Sequence, residues 1–322
     1  MRRRPLLALA GATLAAPAMA QAPWPRETVR LIVPFGPGGA TDIPARLFAE
    51  ELSKFLPQRV VVENRSGAGV TVGAEVVARA PKDGHTLLYN TMAHAVMKAM
   101  FPRLGFDPVA DFAPVALLGV IPMVLLANKN LPAKTLPELL ALLRANPGKY
   151  SYGSGGNGSA THLITALLLK RAGDLRAEHV PYRGAPPAML DLIAGRLALF
   201  LDVANTGLGY RERGDAVALA VSTANRMPQA PDIPTFAEGG VKGADSATWH
   251  MALAPAGTPQ AAVEAANAAF THVLAQPEVE RRLAELAIQT RTGTSAAAST
   301  AFLAAEVAKW SGVIRDAGIA VE

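Results

Sequence analysis

The chain has 322 residues, half of them hydrophobic, no cysteine and a formal net charge of +5. That length and composition suit a folded protein of two ordinary domains and exclude a disordered or disulfide-stapled chain. The charge points to no nucleic acid: Arg2, Arg3 and Arg4 supply three of the positive charges, and no Lys/Arg cluster interleaved with aromatics follows.

Those arginines precede an apolar run over 6–14, and Ala18-Met19-Ala20 has the small-x-small form of a cleavage site. Residues 1–20 therefore read as a secretory signal removed after Ala20, by a general or a twin-arginine route, leaving a net charge of +2. No later run of about 18 apolar residues follows, so an exported, soluble mature protein is expected.

Leu31-Ile32-Val33 reads as a short buried strand, broken by Pro34, Gly36, Pro37, Gly38 and Gly39. Ile43, Leu47, Phe48, Leu52, Phe55 and Leu56 then keep helical spacing, so a helix starts near Thr41 or Asp42. Strand, glycine turn and helix N-terminus together form an anion site, with amide groups and the helix dipole pointing outward. A second strand over 59–63 runs into the turn Gly67-Ala68-Gly69, with a helix opening near Thr71 or Gly73. This repetition is the rhythm of a parallel sheet. Strands follow over 86–91, 115–119 and 123–128, then a helix over 136–144. A third unit comprises a strand over 149–152, the turn 153–159 and an apolar helix over 163–169. Further strands fall near 179–182, 197–201, 216–222 and 251–254, with helices over 187–193, 261–275 and 299–316. Ligands in such α/β folds sit outside the carboxyl ends of strands, where all three glycine turns lie.

Gly153-Ser154-Gly155-Gly156-Asn157-Gly158 matches G-x-G-x-x-G, but Glu178 precedes the next strand instead of closing it, so a dinucleotide is not expected. None of the six histidines has metal-ligand spacing, and no cofactor or metal is expected. His94 and His162 each follow a candidate turn and are candidates for a polar contact. Asp42 complements its helix N-terminus, and Asp202 ends an apolar strand at the edge of the cleft. The segments 34–42, 67–73 and 152–159 contain no lysine or arginine. That suits a small carboxylate held by amides and hydroxyls better than a nucleotide. Charge-assisted hydrogen bonds contribute about 1.5–3 kcal/mol each, so four or five would support micromolar binding. An exported hydrolase using Ser159 and His162 is the rival reading, and a receptor that signals to a membrane sensor is a third.

The joint order of these motifs resembles the Bug family, the TctC-like extracytoplasmic receptors of tripartite tricarboxylate transporters. Its carriers include Val33-Pro34-Phe35 with Gly38-Gly39 and Asp42, Val62-Glu63-Asn64-Arg65, and Asp83-Gly84-His85-Thr86-Leu87-Leu88. Tyr152-Gly153-Ser154, Gly156-Asn157-Gly158-Ser159, His162-Leu163 and His179-Val180-Pro181-Tyr182-Arg183-Gly184 continue it. The resemblance implies a two-lobe periplasmic binding protein type II fold, each lobe a mainly parallel sheet flanked by helices. Lobe 1 would take 21–127 and 249–322, and lobe 2 would take 128–248. It also implies a monomer, not an enzyme, that binds a small carboxylate and delivers it to the membrane subunits of the transporter. The ligand would meet Phe35, Gly38, Gly39, Asp42 and Gly69 from one lobe and Ser154, Gly156, Gly158, Ser159 and His162 from the other. Thr91, His94, Asp202 and Asn205 would line the remainder. Val70 and the segment Trp249-His250-Met251 depart from the family pattern.

Overall fold

A computed structural model of the protein describes residues 24–67, 70–316 and 318–319. The expected signal segment, its cleavage point and Gly69 lie outside the described residues. β1 (Val29–Val33) opens the first sheet, and α1 (Asp42–Phe55) leads to β2 (Val60–Asn64). α2 (Thr71–Ala78) leads to β3 (Thr86–Thr91), and both β2 and β3 pair in parallel with β1. After α3 (Ala93–Met100) come β4 (Phe112–Ile121) and β5 (Met123–Asn128). The second layer contains α4 (Leu136–Ala145), β6 (Ser151–Ser154), α5 (Ala160–Arg171), β7 (Glu178–Pro181) and α6 (Ala185–Ile193). β8 (Leu199–Val203), α7 (Ala204–Glu212) and β9 (Ala216–Val221) complete it. The chain then returns through β10 (Thr248–Pro255), α8 (Gln260–Leu274), α9 (Pro277–Glu285), β11 (Gln289–Thr290) and α10 (Ala296–Asp316).

The six-stranded sheet has the order β11-β4-β10-β3-β1-β2, and the five-stranded sheet has the order β7-β6-β8-β5-β9. Each has a parallel flank built by crossover helices and an antiparallel flank built by a strand that passes between the sheets. β5 enters the second sheet directly from β4 through Pro122 and pairs with β8 and β9. The boundary read at 127/128 therefore falls at the end of a strand that belongs to the second sheet. Ser222 stitches the passage. Its amide and hydroxyl bond the Met123 carbonyl and amide at 2.8 and 3.1 Å, and the hydroxyl donates to the Ser246 carbonyl at 2.7 Å.

Helices cover both faces of the first sheet, which is why Leu31, Ile32 and Val33 of β1 are apolar without alternation, while Arg30 near the strand's start is exposed. Leu31 and Val33 pack toward α1 and α8, while Ile32 packs with Ala74 and Val77 of α2. One apolar cluster reaches through both layers, with Met97 and Met100 of α3, Leu163 and Leu167 of α5, and Trp310 of α10. The Glu306 carboxylate accepts the indole N–H groups of Trp249 and Trp310 at 2.8 and 2.9 Å, which ties α10 to β10. α3, α7 and α9 have no counterpart in the sequence reading. α7 contains Gly207 and Gly209, which lower helix propensity.

Candidate functional site

Two loops follow the carboxyl ends of β1 and β6, and each leads into a helix. In the first, Gly38 adopts φ +76° and its amide donates to Asp42 Oδ2 at 2.8 Å. The same oxygen accepts Arg46 Nε at 2.7 Å, and Oδ1 accepts Asn64 Nδ2 at 2.7 Å. Asn64 also holds the Phe35 carbonyl at 3.0 Å, which links the loop to β2. Asp42 is only 1% exposed. Burial pushes its carboxyl upward, but Arg46, the Gly38 amide and Asn64 outweigh that, and its pKa lies below the usual carboxylate value. Asp42 thus stands in the first turn of α1, complementing the helix N-terminus as read from sequence, and is also an internal brace whose two oxygens are taken by protein donors. Among the described residues, the amides of Gly39, Ala40 and Thr41 have no acceptor.

In the second loop, Gly158 adopts φ +74° and its amide donates to His162 Nδ1 at 3.1 Å. The Gly155 amide donates to Thr161 Oγ1 at 2.8 Å, and the Gly156 amide donates to Ser154 Oγ at 3.1 Å. The Ser159 hydroxyl donates to the Gly156 carbonyl at 2.7 Å, so Thr161 supplies the proton in its 2.9 Å contact with Ser159. Ser159 also caps α5 by accepting the His162 amide. Asn157, Ala160 and Thr161 keep amides with no acceptor among the described residues. The amides of Gly38, Gly156 and Gly158, expected to grip a ligand, thus bind their own loops, and the donors left open sit on Gly39 and on the non-glycine neighbours.

His162 stacks on His179 at 3.8 Å and 5°, and Tyr152 lies beside the pair, its ring 5.0 Å from His179 and 6.4 Å from His162. His179 Nε2 lies 2.7 Å from the buried Ser154 hydroxyl. Burial, and secondarily the neighbouring His179, pushes His162 down to about 3. Ser159 and His162 do not form a nucleophile–base pair, because the ring nitrogen facing the loop is occupied by the Gly158 amide. The second loop meets the opposite layer through Gly158, where a Cβ would fall 2.7 Å from Met100 Cε of α3.

The remaining expected contacts are placed differently. His94 is fully buried: its Nε2 donates to the Pro108 carbonyl at 2.7 Å, and Nδ1 meets Asn90 Nδ2 at 3.2 Å. Desolvation pushes it down to about 4, so it is a neutral core histidine and not a cleft residue. Thr91 ends β3, and its hydroxyl accepts the Ala93 amide at 3.3 Å. Asp202 accepts the Val203 amide at 2.9 Å and the Thr206 hydroxyl at 2.7 Å, and burial pushes its carboxyl up to about 6. Asn205 accepts the Thr206 amide at 2.9 Å. Asp202 and Asn205 thus hold the start of α7, and among the described residues neither bonds to the two loops. Arg46, Asn64, Thr161 and His179 were not among the candidates. The repeated four-residue interval, Gly38 to Asp42 and Gly158 to His162, is the signal that could have found the braces.

The sequence profile described as the tripartite tricarboxylate transporter family receptor matches residues 44–319. BugT of Bordetella pertussis is 33% identical over 312 residues, covering 96% of this chain and 95% of its own. A protein of R. palustris solved with adipate superposes with a TM-score of 0.82 at 36% identity, covering 93% of this chain and all of the other. MatC of Rhodopseudomonas palustris, with bound malate, gives 0.79 at 33%, covering 90% and 100%. The chain belongs to the tripartite tricarboxylate transporter receptors of the Bug type, which are binding proteins and not enzymes.

Proposed function

We propose that this receptor works in the periplasm, closes its two sheet-based lobes around a small carboxylate, and passes it to the membrane subunits of a tripartite tricarboxylate-type transporter. The observation that carries this reading is the pair of braced loops at strand carboxyl ends. Each offers amides without acceptors, and neither contains lysine or arginine. Backbone donors at a helix start suit a carboxylate and need no cation. The adipate and malate bound by two similar proteins agree with this chemistry.

The test is a thermal-shift screen of the mature protein against succinate, adipate, malate, citrate, glutamate, nicotinate and benzoate, with phosphate and NAD as controls. A ligand at 100 times its Kd adds about 2.7 kcal/mol, which raises Tm by roughly 5 °C for a chain of this size. A shift confined to one carboxylate class supports the reading and names the solute. Shifts with phosphate or NAD alone, or with none of the panel, overturn it.

A further inference from the structure

Gly38 and Gly158 occupy matching places. Both have a left-handed backbone, and both donate their amide to the side chain four residues on, in the first turn of the following helix. In the first loop the acceptor is a carboxylate whose charge is balanced by Arg46. In the second it is an imidazole, and residues 152–162 contain no lysine or arginine to balance a charge.

We propose that His162 is a positioning residue for the anion site, an uncharged acceptor that holds Gly158 and thereby aims the amides of Asn157, Ala160 and Thr161 without bringing negative charge among them. The inference rests on the carboxylate reading. His162 is the third residue of α5, where a capping box would place Glu or Gln to reach back to the preceding backbone. Glutamate there would favour the helix dipole, yet it would set an unbalanced charge beside donors meant for an anion. Imidazole meets the same geometric demand through its Nδ1 lone pair. The stack keeps it neutral: a second imidazole in parallel contact at 3.8 Å disfavours charging both rings, and burial acts in the same direction on His162 and His179. Ser154 anchors His179, and Tyr152 flanks both imidazoles.

The test compares His162→Asn, His162→Asp and His162→Leu in the mature protein. Gly158 amide exchange is read by NMR without ligand, and succinate and adipate binding by calorimetry. Asn and Asp place an oxygen near the position of Nδ1, so both should keep the Gly158 amide protected, and Leu should expose it. His162→Asn should bind within about threefold of wild type, His162→Asp at least about 100-fold more weakly, and His162→Leu about tenfold more weakly. Equal affinities of the Asn and Asp variants would overturn the proposal, as would a Gly158 amide that stays protected in the Leu variant. If wild type binds neither dicarboxylate while the exchange pattern holds, the carboxylate reading falls and the brace at Gly158 stands.

Discussion

The two loops reach one backbone shape with different chemistry. The first is braced by a buried carboxylate with three partners, one of which, Asn64, belongs to the neighbouring strand. The second is braced by hydroxyls and stacked rings within its own sheet. The difference teaches that the left-handed glycine is held by whatever acceptor stands four residues on. That acceptor then decides the local charge, the sensitivity to acid and the loss when it is removed.

The largest expected effect is in acid. Burial pushes His94 down to about 4 and His162 and His250 to about 3. Each stays neutral in the folded protein, while the unfolded chain takes up a proton near pH 6.5. Stability is therefore full above that pH and falls as the pH drops toward 4, by about 1.4 kcal/mol per pH unit and group. Asp202, held up at about 6, acts in the opposite sense: its contribution is present in acid and lost as the pH rises through 6. Three imidazoles against one carboxyl leave roughly 3 kcal/mol per pH unit between about pH 6 and 4. Asp42 keeps its charge through this window, so the brace of the first loop adds nothing to the fall. Urea titrations at about pH 7, 6, 5 and 4 would show the midpoint falling steadily; a midpoint that holds to about pH 4 would refute the neutral buried histidines.

Removing each brace gives a smaller, unequal pair of effects. Asp42→Leu strands the Gly38 amide, the Asn64 amide group and Arg46, and should lower stability by about 2–3 kcal/mol. The figure sits below that of a fully buried pair because Arg46 is half exposed and rehydrates. His162→Leu strands one amide and should lower it by about 1–2 kcal/mol. Chemical denaturation of both variants at neutral pH measures the contrast, and equal losses would break it.

Much of this architecture was legible in the sequence. The strand–glycine–helix rhythm located both loops because strand runs such as Leu31-Ile32-Val33 and turns such as Gly38-Gly39 are local signals. Their internal wiring was not legible. Asn64 reaches Phe35 across the sheet, and His179 reaches Ser154 from the next strand, and such pairings follow from register. His94 misled because a histidine after a strand end can face the cleft or the core. Only the carbonyl of Pro108, brought in by the 101–111 connection, decides which. The glycines misled for another reason: sequence shows that an amide is unshielded, but not that a side chain four residues on has already taken it.

The smallest expected effect separates the loops by their surroundings. A Cβ on Gly38 meets nothing within 4 Å, whereas one on Gly158 would lie 2.7 Å from Met100 Cε. Alanine in a left-handed backbone costs about 1–2 kcal/mol, so both Gly38→Ala and Gly158→Ala should lose about that much stability. Gly158→Ala must in addition displace Met100, which is packed in the cluster shared by both layers. Methionine is adaptable, so the increment should be modest, about 0.5–1 kcal/mol. Combining Gly158→Ala with Met100→Ala would let the new methyl occupy part of the space vacated, and the double mutant should be more stable than the two single losses imply. Gly38→Ala with Met100→Ala should be additive. Additivity in both cycles would mean that Met100 does not seat the second loop, and the contact between α3 and the Gly158 turn would carry no energy.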